Sequence, residues 1–188
     1  MLTLPNFLTL LRIIAVPVFL ILVTNRAYAA AFVLFLAAGV TDTVDGVLAR
    51  LTNASSDLGA SLDPLADKLL LVSSFVMLAW LGVIPLWLMI IALTRDVVIL
   101  TGYLVLYFFG RPMAVDPTAI SKLNTFMEMG TIGFALAALA RPGMPMDAVN
   151  AVVWSVTGTT ITISGVHYVY KGLLWLQRAG GAPPATGD

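Results

Sequence analysis

The chain has 188 residues, of which 60% are hydrophobic and only 11% charged. A soluble globular protein is nearer half apolar and a quarter charged, so this composition points to a lipid-embedded protein. The formal net charge is zero, which gives nucleic acid no electrostatic reason to bind, and the absence of cysteine excludes disulfides, thiolate nucleophiles and Cys-ligated zinc.

Six stretches reach the roughly 20 mostly apolar residues that a spanning helix needs. The first runs from about Leu4 to Val23 and ends at Thr24-Asn25-Arg26. No Lys or Arg precedes Arg12, so it reads as a permanent first helix rather than a cleaved signal. The second runs from Tyr28 to Ala49, followed by a short polar link to Asp57. The third runs from Gly59 to Leu81, with Gly82 and Pro85 marking its end. The fourth covers Leu86 to Phe109, the fifth Thr118 to Ala140 and the sixth Ala148 to Leu176. The expected fold is therefore an all-α integral membrane bundle of six transmembrane helices. One membrane domain covers 1–178, and 179–188 is expected to be a flexible tail of Gly, Ala, Pro and Thr.

Charge placement orients the bundle. With six spans both termini share one side, and that side receives Arg12, Arg50, Arg111, Lys122, Lys171 and Arg178. The other side receives only Arg26 and Arg141. Positive residues favour the cytoplasm, so both termini are expected there.

Charges inside spans are costly and usually mark function. Asp42 and Asp45 lie three apart on the second helix, and Asp63 and Asp67 four apart on the third, so each pair shares a face. In an antiparallel hairpin Asp42 should face Asp67, and Asp45 should face Asp63. At the helical rise, Asp42 lies roughly 12 Å below Arg50. Four carboxylates this close cannot all stay ionised unaided; they retain protons or bind cations. Oxygen ligands without His or Cys suit hard cations such as magnesium, manganese or calcium, and four carboxylates can hold two. Two other readings compete. The acids could be polar glue between helices in a structural scaffold, or they could line a divalent-cation channel or carrier. A carrier site belongs near the midplane between broken helices, whereas these acids cluster toward one face. Gly46, Ala49 and Gly59 either let a substrate approach the backbone or allow tight helix packing. Arg50 either meets a phosphate or snorkels to the headgroups.

The order Asp42-Thr-Val-Asp45-Gly46-Val-Leu-Ala49-Arg50, eight residues, Gly59, three residues, Asp63, three residues, Asp67 resembles the signature of the CDP-alcohol phosphatidyltransferases. The resemblance implies a six-helix bundle whose site opens to the cytoplasmic leaflet, in the inner membrane if the source is bacterial. It implies that Asp42, Asp45, Asp63 and Asp67 bind Mg2+ or Mn2+, two ions in all, with Asp67 also the general base. Asn6, Asp42, Gly46, Ala49, Arg50, Ser56 and Gly59 would border the CDP-lipid, CDP-diacylglycerol. A homodimer among membrane lipids is expected on the same ground.

The acceptor alcohol must be sought on later helices. Arg95 and Lys122 have the charge to attract an anionic lipid or a phosphorylated alcohol. The competing readings are that Arg95 pairs locally with Asp96 or with an acid elsewhere, and that Lys122 is a solvated helix end. Glu128 could pair with either. Thr94-Arg95-Asp96 and Pro117-Thr-Ala-Ile-Ser-Lys122-Leu-Asn124-Thr125 resemble the eukaryotic-type, CMP-forming cardiolipin synthases, which implies transfer to phosphatidylglycerol, with Arg95, Lys122 and Asn124 at the acceptor. The alternative within the family is phosphatidylglycerophosphate synthesis from glycerol 3-phosphate. His167 reads as a packing residue, because one histidine cannot build a zinc site. Trp80, Trp87, Trp154 and Trp175 read as interface anchors.

Overall fold

The computed structural model describes the backbone of residues 4–52, 57–108, 118–141 and 147–180, and the side chains of 10–41, 68–105, 118–141, 149–175 and 177. Six α-helices run through the described residues: α1 Leu4–Thr24, α2 Tyr28–Thr52, α3 Asp57–Trp80, α4 Leu86–Phe108, α5 Ala119–Ala140 and α6 Asp147–Gly180. The expected elements are therefore present with nearly the expected ends. α6 continues to Gly180, and residues 181–188 lie outside the described residues.

The two tight turns stop their helices in the same way. At the end of α1 the Ala27 amide donates to the Leu22 carbonyl and the Arg26 amide to that of Val23. At the end of α3, Val83 donates to Leu78 and Gly82 to Ala79. Both are Schellman closures, which need a left-handed residue just past the helix. Gly82 takes that conformation freely at φ 71°, whereas Arg26 adopts φ 59° against its Cβ. On α5, Thr118 caps the start by accepting from the Ser121 amide at 3.2 Å.

Spatial order differs from chain order. The helices follow a ring: α1, α2, α5, α6, α4, α3 and back to α1, with α3 also touching α5. Phe19, Phe35, Leu78, Leu88, Ile132 and Leu136 fill its centre. α4 and α6 run parallel, because Trp87 lies against Gly158 and Arg95 against Gly165 further along both helices. A Cβ on Gly158 would sit 2.8 Å from the Trp87 ring, so that glycine admits the indole. Trp87 is thus a packing residue as well as a half-exposed one, while Trp80 is 85% exposed and Trp154 packs against the core.

The outer surface is apolar. Ile21, Val33, Leu86, Leu100 and Val166 all face outward. Among the described residues, Leu86–Val105, Ala119–Ala140 and Val149–Trp175 are long and apolar enough to cross a membrane. Leu10–Thr24, Tyr28–Thr41 and Lys68–Trp80 are shorter apolar stretches.

Candidate active site

Asp42 and Asp45 belong to α2, and Asp63 and Asp67 to α3. Gly46, Ala49 and Arg50 follow on α2, Gly59 opens α3, and Asn6 lies in the first turn of α1. The side chains of all these residues, and Ser56 as a whole, lie outside the described residues. So does the expected facing of Asp42 with Asp67 and of Asp45 with Asp63. The structure does describe the turns next to them. Gly39, three residues before Asp42, and Leu71, four after Asp67, line one small cavity of about 70 Å³. Arg12 of α1 and Thr125 of α5 also line it. Four helices therefore converge within a turn of both aspartate pairs.

Beside this point lies a buried polar network. Arg95, only 7% exposed, donates through Nη1 to Asp96 Oδ1 at 2.8 Å. Its Nη2 donates to Ser121 Oγ at 2.8 Å and Ser164 Oγ at 2.9 Å. Its guanidinium also stands 5.7 Å from the centre of the Tyr168 ring. Asp96 Oδ1 takes a second cation, Lys68 Nζ, at 2.6 Å. Lys68 follows Asp67 directly, so the ion pair ties α3 to α4 at the residue beside the fourth aspartate. On α5, Asn124 Nδ2 donates to Glu128 Oε1 at 2.9 Å, and both side chains are buried. Lys68, Asp96 and Arg95 are within electrostatic reach of the Glu128 carboxyl. A polar ladder continues down the bundle, where Thr131 and Thr157 share a hydrogen bond of 2.7 Å between α5 and α6.

These contacts sort the expected acceptor residues. Arg95 does make the local pair with Asp96, and it also gathers α5 and α6. Its Nε remains a buried donor without a hydrogen-bond partner. Lys122 is exposed at the start of α5. Glu128 takes its hydrogen bond from Asn124, not from Arg95 or Lys122. Sequence reasoning missed the Lys68–Asp96 pair, Ser121 and Ser164 as partners of Arg95, and the close approach at Gly158. The available signal was the cost of intramembrane charge, which requires Lys68 and Asp96 to find partners somewhere.

Two lateral grooves flank the site. One of about 620 Å³ lies between α2 and α5, lined by Phe32, Leu36, Gly39, Phe126, Gly130 and Phe134 among others. It ends at Val40, two residues before Asp42 on α2. The other, of about 530 Å³, lies between α4 and α6, with Arg95, Thr94 and Gly165 in its wall.

A helical bundle with helices long and apolar enough to cross a membrane, aspartates spaced three and four apart on two adjacent elements, and a polar hub around buried Arg95 describes the class. The family model described as CDP-alcohol phosphatidyltransferase matches residues 2–163. The chain belongs to the CDP-alcohol phosphatidyltransferase family and is an integral membrane enzyme of that class. It is 31% identical over 183 residues to a probable cardiolipin synthase (CMP-forming) of Drosophila melanogaster, covering 89% of this chain and 56% of that protein. It is 34% identical over 177 residues to a probable phosphatidylglycerophosphate synthase of Mycobacterium tuberculosis strain H37Rv, covering 90% and 81%. It is 34% identical over 180 residues to a cardiolipin synthase (CMP-forming) of Streptomyces coelicolor, covering 90% and 82%. The chain thus spans little more than half the length of the Drosophila relative and about four fifths of the other two.

Proposed function

We propose that this protein transfers the phosphatidyl group of CDP-diacylglycerol to phosphatidylglycerol, giving cardiolipin and CMP. The observation that carries the reading is the aspartate signature along α2 and α3, with Val40, two residues before Asp42, lining one end of an apolar groove between α2 and α5. A donor whose diphosphate sits at the aspartates can lay an acyl chain along the α2–α5 groove, which starts at Val40 and runs to Phe32. The names of the Drosophila and Streptomyces relatives agree with this acceptor. The name of the Mycobacterium relative supports the second reading, phosphatidylglycerophosphate synthesis with glycerol 3-phosphate as acceptor.

The donor set fits hard divalent ions: four carboxylates, helical spacing, no His or Cys. Asp42, Asp45, Asp63 and Asp67 would hold two Mg2+ or Mn2+ ions. Such ions neutralise the diphosphate and the charge that develops on the leaving oxygen. Asn6, Gly46, Ala49, Arg50, Ser56 and Gly59 border the nucleotide in this reading. Asp67 takes the proton of the acceptor hydroxyl, a role that contributes typically ~10²–10⁴-fold. The alcohol oxygen then forms a bond to the phosphorus that bears diacylglycerol. The bond from that phosphorus to the bridging oxygen breaks, and CMP leaves with the bridging oxygen. Arg95, through its unpartnered Nε, and Lys122, through its exposed ammonium, attract the anionic acceptor. All six helices span the bilayer, with both termini and the site on the cytoplasmic side, the inner membrane in a bacterium. The protein works as a homodimer.

The test is direct. Purified protein is given CDP-diacylglycerol and Mg2+ or Mn2+ with phosphatidylglycerol, glycerol 3-phosphate, serine or inositol phosphate in turn, and CMP is measured. CMP with phosphatidylglycerol is expected, and Asp67→Asn should abolish it. Absence of CMP with every acceptor, together with cation flux into liposomes, would replace the transferase reading with transport.

A further inference from the structure

The outward groove between α2 and α5 and the small inner cavity share a wall. The groove opens between exposed Leu36, Val40 and Phe126, so in a bilayer hydrocarbon fills it. The cavity lies on the other side, beside buried Arg12, Leu71 and Thr125. Phe35, Gly39 and Met129 line both spaces. Phe35 is a core ring held against Phe19. Met129 is half-buried and unbranched, a side chain that adapts readily to its neighbours. Its Cε lies 2.6 Å from the place that a Cβ on Gly39 would occupy, so the thioether rests on the bare backbone of α2.

The two spaces differ in kind. Arg12 and Thr125 give the cavity a polar wall, and an acyl chain beside a buried guanidinium would deprive it of polar contacts. The groove offers Phe32, Leu36, Phe126 and Phe134, which suit hydrocarbon. Position along the groove matters as well. Gly39 stands beside Val40, at the end nearest Asp42, while Phe32 lies against Gly133 toward the other end. From Phe126 to Ala137, α5 advances roughly 16 Å, close to the ~15 Å half-thickness of bilayer hydrocarbon. A chain laid along that length meets Met129 with its first carbons and Phe32 with its last.

We propose that Met129, seated on Gly39, is a specificity determinant for the donor's acyl chain: it shuts the groove off from the Arg12 cavity and admits only a slim chain beside the ester. The inference rests on the transferase reading and its donor chain in this groove, and it adds which part of that chain the protein reads. Met129 selects against bulk near the ester and is indifferent to bulk near the tail.

The experiment gives the full chain, with Mn2+ and whichever acceptor supports turnover, three CDP-diacylglycerols. One has straight chains, one a methyl branch beside the ester and one a methyl branch beside the tail end. CMP release and a melting temperature are read. The wild-type protein should use the ester-branched donor about tenfold less well in kcat/KM than the straight one, and the tail-branched donor about equally well. Met129→Ala joins groove and cavity and should remove about tenfold of that discrimination, leaving the tail-branched ratio and the acceptor KM unmoved. Should it fail to fold, Met129→Leu decides, because it keeps the volume but lacks the Cε that reaches Gly39. At Gly130 an added Cβ meets no atom within 4 Å, so Gly130→Leu stands in the groove itself. It should raise KM for all three donors about tenfold without lowering the melting temperature. A wild-type protein indifferent to the ester-side branch, an unmoved ratio in the folded Met129 variant, or an unmoved donor KM in Gly130→Leu overturns the inference while CMP release leaves the transferase reading standing. No CMP from any donor overturns the transferase reading, and the inference with it.

Discussion

The two halves of this bundle are held together by different physics. In the half that contains Phe19, Val23, Leu78, Ile84, Leu88 and Leu136, the interior is apolar and the helices are joined by two tight Schellman turns. Surrounding lipid is as apolar as these side chains, so burial there gains close packing rather than escape from water. In the other half, Arg95, Asn124 and Glu128 are buried, Asp96 and Lys68 join them from the partly exposed side, and each takes a polar partner. Packing in the first half tolerates any neighbour of the right shape. Pairing in the second tolerates only the right group at the right distance. The difference explains why the chemistry-bearing residues and the shape-filling residues separate along the bundle axis.

That comparison can be broken at its strongest point first. Arg95→Met removes hydrogen bonds to Asp96, Ser121 and Ser164 at once and should cost about 3 kcal/mol, seen as a lowered unfolding midpoint in detergent. Loss well under 1 kcal/mol would mean that the cluster tolerates pairing errors as the apolar half does. Next in size is Gly158→Val. Its side chain would press into the Trp87 ring and should cost about 2 kcal/mol in the same assay. Arg26→Gly should go the other way, stabilising by about 1 kcal/mol, because glycine adopts the left-handed turn without a Cβ clash. The smallest effect belongs to Thr157→Val, about 0.6 kcal/mol, since interhelical hydroxyl pairs in membranes contribute little. A larger loss there would show that the polar ladder reaches into the apolar half.

Much of this was readable along the chain. The helix ends are local events, written by Asn25-Arg26, Gly82-Val83 and the Thr118 cap, so expected and observed elements agree closely. The aspartate spacing is local too, because residues three or four apart share a helix face wherever the helix goes. The acceptor region was only half legible. Arg95 stood out as an intramembrane charge, and its pairing with Asp96 was one of two readings open from adjacency. Ser121 and Ser164 did not stand out, because a serine on a helix looks the same whether it faces lipid or an arginine. The partner of Glu128 was left open between two cations, and its hydrogen bond comes from Asn124, one turn away on its own helix.

By itself, then, the sequence determined the membrane setting, the six helices and the family. Each depends on composition, on hydropathy over a single helix, or on residues at fixed short spacing. Only the tertiary structure decided that Lys68 and Arg95 share Asp96, that Arg95 binds α5 and α6 together, and that Asn124 keeps a buried oxygen free. Those pairings join residues up to 69 positions apart, and they follow from the ring order of the helices, which no local pattern encodes.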